Sequence, residues 1–108
     1  MISYPEFQNV DLRVGRVLSA ERVEGSEKLL KLMVDIGPEI GERQIVAGIG
    51  KVYDPEIMVG REIIVVANLE SRFLLGFESQ GMLLAADDES GPILLSPNKD
   101  ALPGAKIK

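Results

Sequence analysis

The chain contains no cysteine, no histidine and no tryptophan. Without cysteine there is no disulfide framework, no thiol nucleophile and no zinc knuckle. Without histidine, the commonest general base and metal ligand is also missing. An enzyme built on this chain would run on carboxylates, lysine or serine alone, so the composition favours binding over catalysis, with no cofactor and no metal. Aromatic residues make up only 5 %, and Phe7, Phe73, Phe77, Tyr4 and Tyr53 do not interleave with basic residues along the chain. A row of stacked bases on single-stranded nucleic acid is therefore disfavoured. No apolar run approaches the roughly 20 residues of a membrane-spanning helix, and Met1–Glu6 lacks the basic and apolar regions of a signal peptide. A cytoplasmic protein is expected.

What is present describes a small globular domain. The length of 108 residues and the hydrophobic fraction of 45 % fit a single domain, 1–108, with one modest core. Few Asn and Gln beside many Glu, Lys and Ile suit a thermophile. The net charge of −5 opposes any polyanionic partner unless cations are gathered on one face.

Periodicity places Ser3 as the N-cap of a short helix, Tyr4 to Asn9, with Phe7 and Val10 packing inward. A strand follows through Leu12, Val14 and Val17, whose alternation slips at Gly15–Arg16 and predicts a β-bulge there. Glu24–Glu27 is a turn. The second strand alternates cleanly, with Leu30, Leu32, Val34 and Ile36 on one face and Leu29, Lys31, Met33 and Asp35 on the other. A third strand is expected over Arg43–Ile49 and one capped helical turn over Asp54–Met58. A fourth strand over Glu62–Leu69 has the unbroken apolar run of a segment buried on both faces. Residues Glu70–Glu78 read as a loop or short irregular pairing. Two last strands, Met82–Ala86 and Ile93–Leu95, flank a turn at Asp87–Gly91. The acidic triplet Asp87–Asp88–Glu89 reads as a solvated turn rather than a metal site. The pattern predicts an all-β OB-fold, a five-stranded Greek-key barrel with short helical turns and terminal extensions; an SH3-like barrel is the rival.

Five collinear stretches then become specific: Val10–Val17, Lys28–Gly37, Arg43–Ile49, Val65–Leu69 and Ser79–Ala86. In this order and spacing they resemble the tRNA-binding domain appended to bacterial and archaeal methionyl-tRNA synthetases. The same domain occurs in free-standing structure-specific tRNA-binding proteins and in the endothelial-monocyte-activating polypeptide family. The resemblance runs from about Tyr4 to Lys108. It implies an OB-fold, recognition of tRNA by shape and backbone, and a homodimer. It further implies a non-catalytic, separately encoded beta subunit or homologue of methionyl-tRNA synthetase, with the catalytic subunit as a possible partner. A peptide-binding export chaperone of the same fold is the alternative function.

Seven residues are candidate tRNA contacts. If the second and third strands pair, Lys28, Lys31 and Arg43 are expected on or near one outer face, where they would neutralise phosphates; solvated charge is the plainer reading. Met33 faces outward with Lys31, either as a surface for a base or covered by the N-terminal segment. Asn68 would bond bases or ribose hydroxyls, or else form a turn with its own backbone. Arg72 follows in a loop where the family often has proline before its basic residue; here Ser71 precedes it, and Phe73–Leu74–Leu75 replaces a more basic stretch. Ser79 could donate to a phosphate, and Met82 could offer a soft surface to an unstacked base or simply sit in the core. The apolar residues Val10, Ile93, Leu94, Leu102 and Ile107 exceed what one small barrel covers, which also predicts a dimer.

Overall fold

In the computed structural model, which describes residues 1–108, the strands expected from alternation wind into a nearly closed barrel. The elements are α1 (Tyr4–Gln8), β1 (Leu12–Arg22), β2 (Leu30–Asp35), β3 (Glu42–Ala47), α2 (Pro55–Met58), β4 (Glu62–Val66), β5 (Arg72–Leu74), β6 (Phe77–Ser79), β7 (Met82–Leu83), β8 (Ala85–Asp88) and β9 (Gly91–Leu94). The main sheet has the order β3-β2-β1-β4-β7, and each of its ladders is antiparallel. It follows that β3 and β7 run parallel, and the barrel closes between them. That seam is held by Gln80 N–H to Gln44 O (2.7 Å), Gln44 N–H to the Gln80 side chain (3.1 Å) and Val46 N–H to Ser79 Oγ (2.9 Å). These are the strand order and closure of an OB-fold.

The core follows from period-2 alternation. Leu30, Leu32 and Val34 alternate inward on β2 and meet Val17, Ile45, Ile63, Val65 and Leu83 from the other strands. Met58 of α2, wholly buried, plugs the same cluster.

β1 is long enough to serve two partners, pairing with β4 through Leu12–Arg16 and with β2 through Arg16–Arg22. The bulge lies between Val17 and Ser19, not at Gly15–Arg16. Gly15 pairs regularly with Ile63 and faces the interior, where a Cβ would fall 2.6 Å from Val34 Cγ1. Its missing side chain is a packing requirement. The early half of β1, beyond the reach of β2, is covered by the C-terminal tail, through Val14 N–H to Ala105 O (2.9 Å) and Ile107 N–H to Leu12 O (2.9 Å).

Ser3 caps α1 in a reciprocal capping box with Glu6, but α1 buries nothing. Phe7 is half-buried and Val10 is exposed, and together with Tyr4, Leu12 and Ile107 they line an open groove between the two termini. The Asp54 side chain caps nothing and pairs with Arg22 instead (3.0 Å). The stretch Glu70–Glu78 contains an ordered hairpin, β5–β6. No helix is long and apolar enough to cross a membrane.

Candidate nucleic-acid interface

In OB barrels, the outer face of strands 2 and 3 and the loops joining strands 1–2 and 4–5 form the usual binding surface. Here those parts are the outer side of β2–β3, the connection Val23–Leu29, and the long connection from Ala67 to Gly81 that carries the β5–β6 hairpin. Leu74 of the hairpin packs on Val23, Leu29 and Val46, which draws all three parts together.

The register of β2–β3 decides which cations share a side. Lys31 stands opposite Val46, Met33 opposite Gln44, and Arg43 opposite Val34. Cross-strand partners share a face, so Lys31 and Met33 leave the outer side with Gln44 and Val46. Arg43 leaves the opposite side, in line with Val34 and beyond Ile45, at the mouth of the barrel. The three cations therefore do not form one patch on one face. Met33 is half-buried.

Ion pairs occupy Arg13, Arg16, Arg22 and Lys31; among the seven candidates, the cations without acidic partners are Lys28, Arg43 and Arg72. Lys28 is exposed, and its side chain lies over Gly48, where a Cβ would fall 2.7 Å from Lys28 Cε. Lys31 Nζ is 2.6 Å from Glu21 Oε1 and 4.3 Å from the Phe77 ring centre. The fold thus brings a cation to an aromatic face that the linear order keeps apart.

Besides Lys31, two more of the seven residues use their polar atoms within the protein. Ser79 is 2 % exposed; its hydroxyl accepts from Val46 N–H and donates to Gly81 O, both at 2.9 Å. Asn68 accepts from Asp11 N–H (2.9 Å) and donates to Asn9 O (2.7 Å), tying the loop after β4 to the N-terminal segment rather than to its own backbone. Met82, opposite Val66 at the end of β4, is 41 % exposed and free to meet a ligand.

Arg13, unremarked in the sequence, is the buried cation of the molecule. It faces inward opposite Val65 and bonds Asp11 (2.7 and 3.3 Å), Glu39 (3.3 Å) and Gly104 O (3.2 Å). Hydrogen bonds to Asp11 and Glu39 raise its pKa above the ordinary value, so it remains charged. At the acidic turn, Asp88 accepts from the Ser90 hydroxyl (2.7 Å) and amide (2.8 Å), and these bonds lower its pKa.

The family model described as "Putative tRNA binding domain" matches residues 12–106. The chain belongs to the tRNA-binding domain family. Across its whole length it is 54 % identical to a methionine–tRNA ligase of Methanothrix thermoacetophila, and over 98 % of its length it is 51 % identical to that of Thermotoga maritima. It spans 16 % of each of these relatives. Among solved structures, a MetRS-related protein from Pyrococcus horikoshii superimposes with a TM-score of 0.92 at 37 % identity, covering 100 % of this chain and 98 % of that one. The chaperone CsaA of Bacillus anthracis superimposes with a TM-score of 0.90 at 32 % identity, covering 100 % and 99 %. This tRNA-binding domain keeps Lys28, Arg43, Arg72 and Met82 available at its surface, while Ser79 and Asn68 hold its frame.

Proposed function

We propose that this domain is a non-catalytic module that holds folded tRNA for methionyl-tRNA synthetase, as a beta subunit of that enzyme or a homologue of it. The observation that carries the reading is the 54 % identity, over the full chain, to part of a methionine–tRNA ligase. In this reading 1–108 is one domain that works in the cytoplasm as a homodimer, with the synthetase's catalytic subunit as a partner. Lys28, Arg43 and Arg72 neutralise phosphates and Met82 meets a base. Lys31 adds its charge beside Phe77, while Asn68 and Ser79 fix the backbone around the ligand. The groups with displaced pKa values belong to a helix cap, a buried ion pair and a turn, which supports binding rather than acid–base chemistry.

The acidic total then acts as a filter. Cations separated around the barrel mouth suit phosphates spaced along a folded surface, and the surrounding carboxylates repel nucleic acid of other shapes. Filter binding at low salt tests this, comparing unfractionated tRNA with unstructured RNA of equal length. Preferential retention of tRNA is expected, and equal or no retention of both would refute the proposal. A second reading, a peptide-binding chaperone, draws on the likeness to CsaA; suppression of client aggregation without tRNA binding would favour it.

A further inference from the structure

We propose that the β5–β6 hairpin is a stacking finger whose tip, Phe73 and Leu75, engages unstacked bases of the bound RNA; this rests on the tRNA reading above. The hairpin has two faces. Leu74 and Phe77 are cross-strand partners and turn towards the body, where Leu74 packs on Val46 and the Phe77 ring lies under Lys31 Nζ. Its base is tied to β3 by Gln44 Nε2–H to Glu78 O (2.8 Å) and by Ser79. Phe73 is on the other face and is 70 % exposed, and Leu75 at the tip is 62 % exposed. The aromatic ring is therefore displayed on an anchored support, so little freedom is lost when a base stacks on it.

The turn itself shows that the tip is not arranged for stability. Leu75 and Gly76 have φ values of 48° and 84°, as in a two-residue turn with both central residues left-handed. Such turns favour Asn-Gly. Leucine is strained in that region, and exposed leucine gains little from burial, so the side chain is kept against local preference at a point that faces solvent. Two of the three phenylalanines of the chain lie in this hairpin.

The chemistry of the occupant follows from size and charge. One ring and one leucine match the face of one or two bases and are too small to hold an extended apolar client. Arg72, without an acidic partner, begins the hairpin and leaves it on the face of Leu74, while Glu78 stands opposite Phe73, so a base on Phe73 is held by stacking and only Arg72, beside it in sequence, is free to meet a flanking phosphate. Base–aromatic stacking is insensitive to sequence, which agrees with recognition of tRNA as a class.

The test is the double variant Phe73→Ala/Leu75→Gly. Glycine relieves the left-handed position, so the melting temperature is expected to hold or rise. Affinity for tRNA is expected to fall about tenfold, with the slope of log K against log salt unchanged because no phosphate contact is removed. Unchanged affinity, or a loss accompanied by a shallower salt slope, would overturn the stacking finger. Unchanged tRNA affinity with lost suppression of client aggregation would assign the tip to peptide and also overturn it. Failure of the unaltered protein to bind tRNA would refute the underlying reading itself, and is seen before any variant is made.

Discussion

The hydroxyl of Ser79 stands 2.9 Å from the amide nitrogen of Val46, spanning the seam between β3 and the segment that enters β7. Ser79 donates in turn to Gly81 O, so one buried hydroxyl satisfies a donor and an acceptor where the barrel has no regular ladder. Ser79→Ala leaves the Val46 amide unpaired and should destabilise the domain by about 1–3 kcal/mol. Urea unfolding with unchanged m reads this. If stability is unaffected while tRNA affinity drops, the hydroxyl serves the ligand instead.

Arg13 predicts an asymmetry between its two acidic partners. Asp11 is one-third exposed, whereas Glu39 is mostly in water. Asp11→Ala should therefore cost about 3 kcal/mol, as for removal of one member of a buried pair. Glu39→Ala should cost less than about 1 kcal/mol. Thermal unfolding of both variants decides it, and equal losses would contradict the assignment.

Acid should loosen α1 before the barrel. The pKa of Glu6 is lowered from the ordinary 4.5, first by the Ser3 backbone amide and then by the Ser3 hydroxyl. A depressed carboxylate pKa stabilises the fold above the ordinary value and loses that contribution as pH falls through the folded one. The protection of the Phe7 and Asn9 amides against exchange, relative to their intrinsic rates, should thus fall below pH 4.5, and Glu6→Gln should reduce the pH dependence. No change with pH would contradict the capping box.

Apolar side chains left at the surface, in the groove between the termini and outside it, predict self-association. Val10, Ile93 and Leu102 are exposed, while Leu94 packs in part against the core and Ile107 is half-buried. Sedimentation at tens of micromolar should give a dimer that Val10→Asp with Leu102→Asp dissociates. A monomer of the unaltered protein would remove the dimer from the proposal.

Much of this architecture is legible in residue order, because alternation of 2 marks β2 and the buried run marks β4. The bulge is displaced because glycine serves two purposes alike in sequence, and Gly15 serves packing against Val34 rather than backbone freedom. The side taken by Arg43 depends on register, which sets outward positions as odd-numbered on β2 and even-numbered on β3. No property of the single strands reveals this. The β5–β6 hairpin is legible only as a loop or short irregular pairing, because Phe73–Leu74–Leu75 does not alternate and its turn lacks Asn-Gly. Leu75–Gly76 between the apolar residues Leu74 and Phe77 is the available signal. The internal bonds of Asn68 and Ser79 join residues distant in sequence and emerge only in three dimensions.

The measurement closest to the central claim is tRNA affinity across a salt series, for the unaltered protein and for Lys28→Ala/Arg43→Ala. Binding should weaken steeply with salt, with a slope reduced by about 2 in the double variant and affinity lowered similarly for every tRNA. An unchanged slope, or a loss confined to one tRNA species, would contradict that claim.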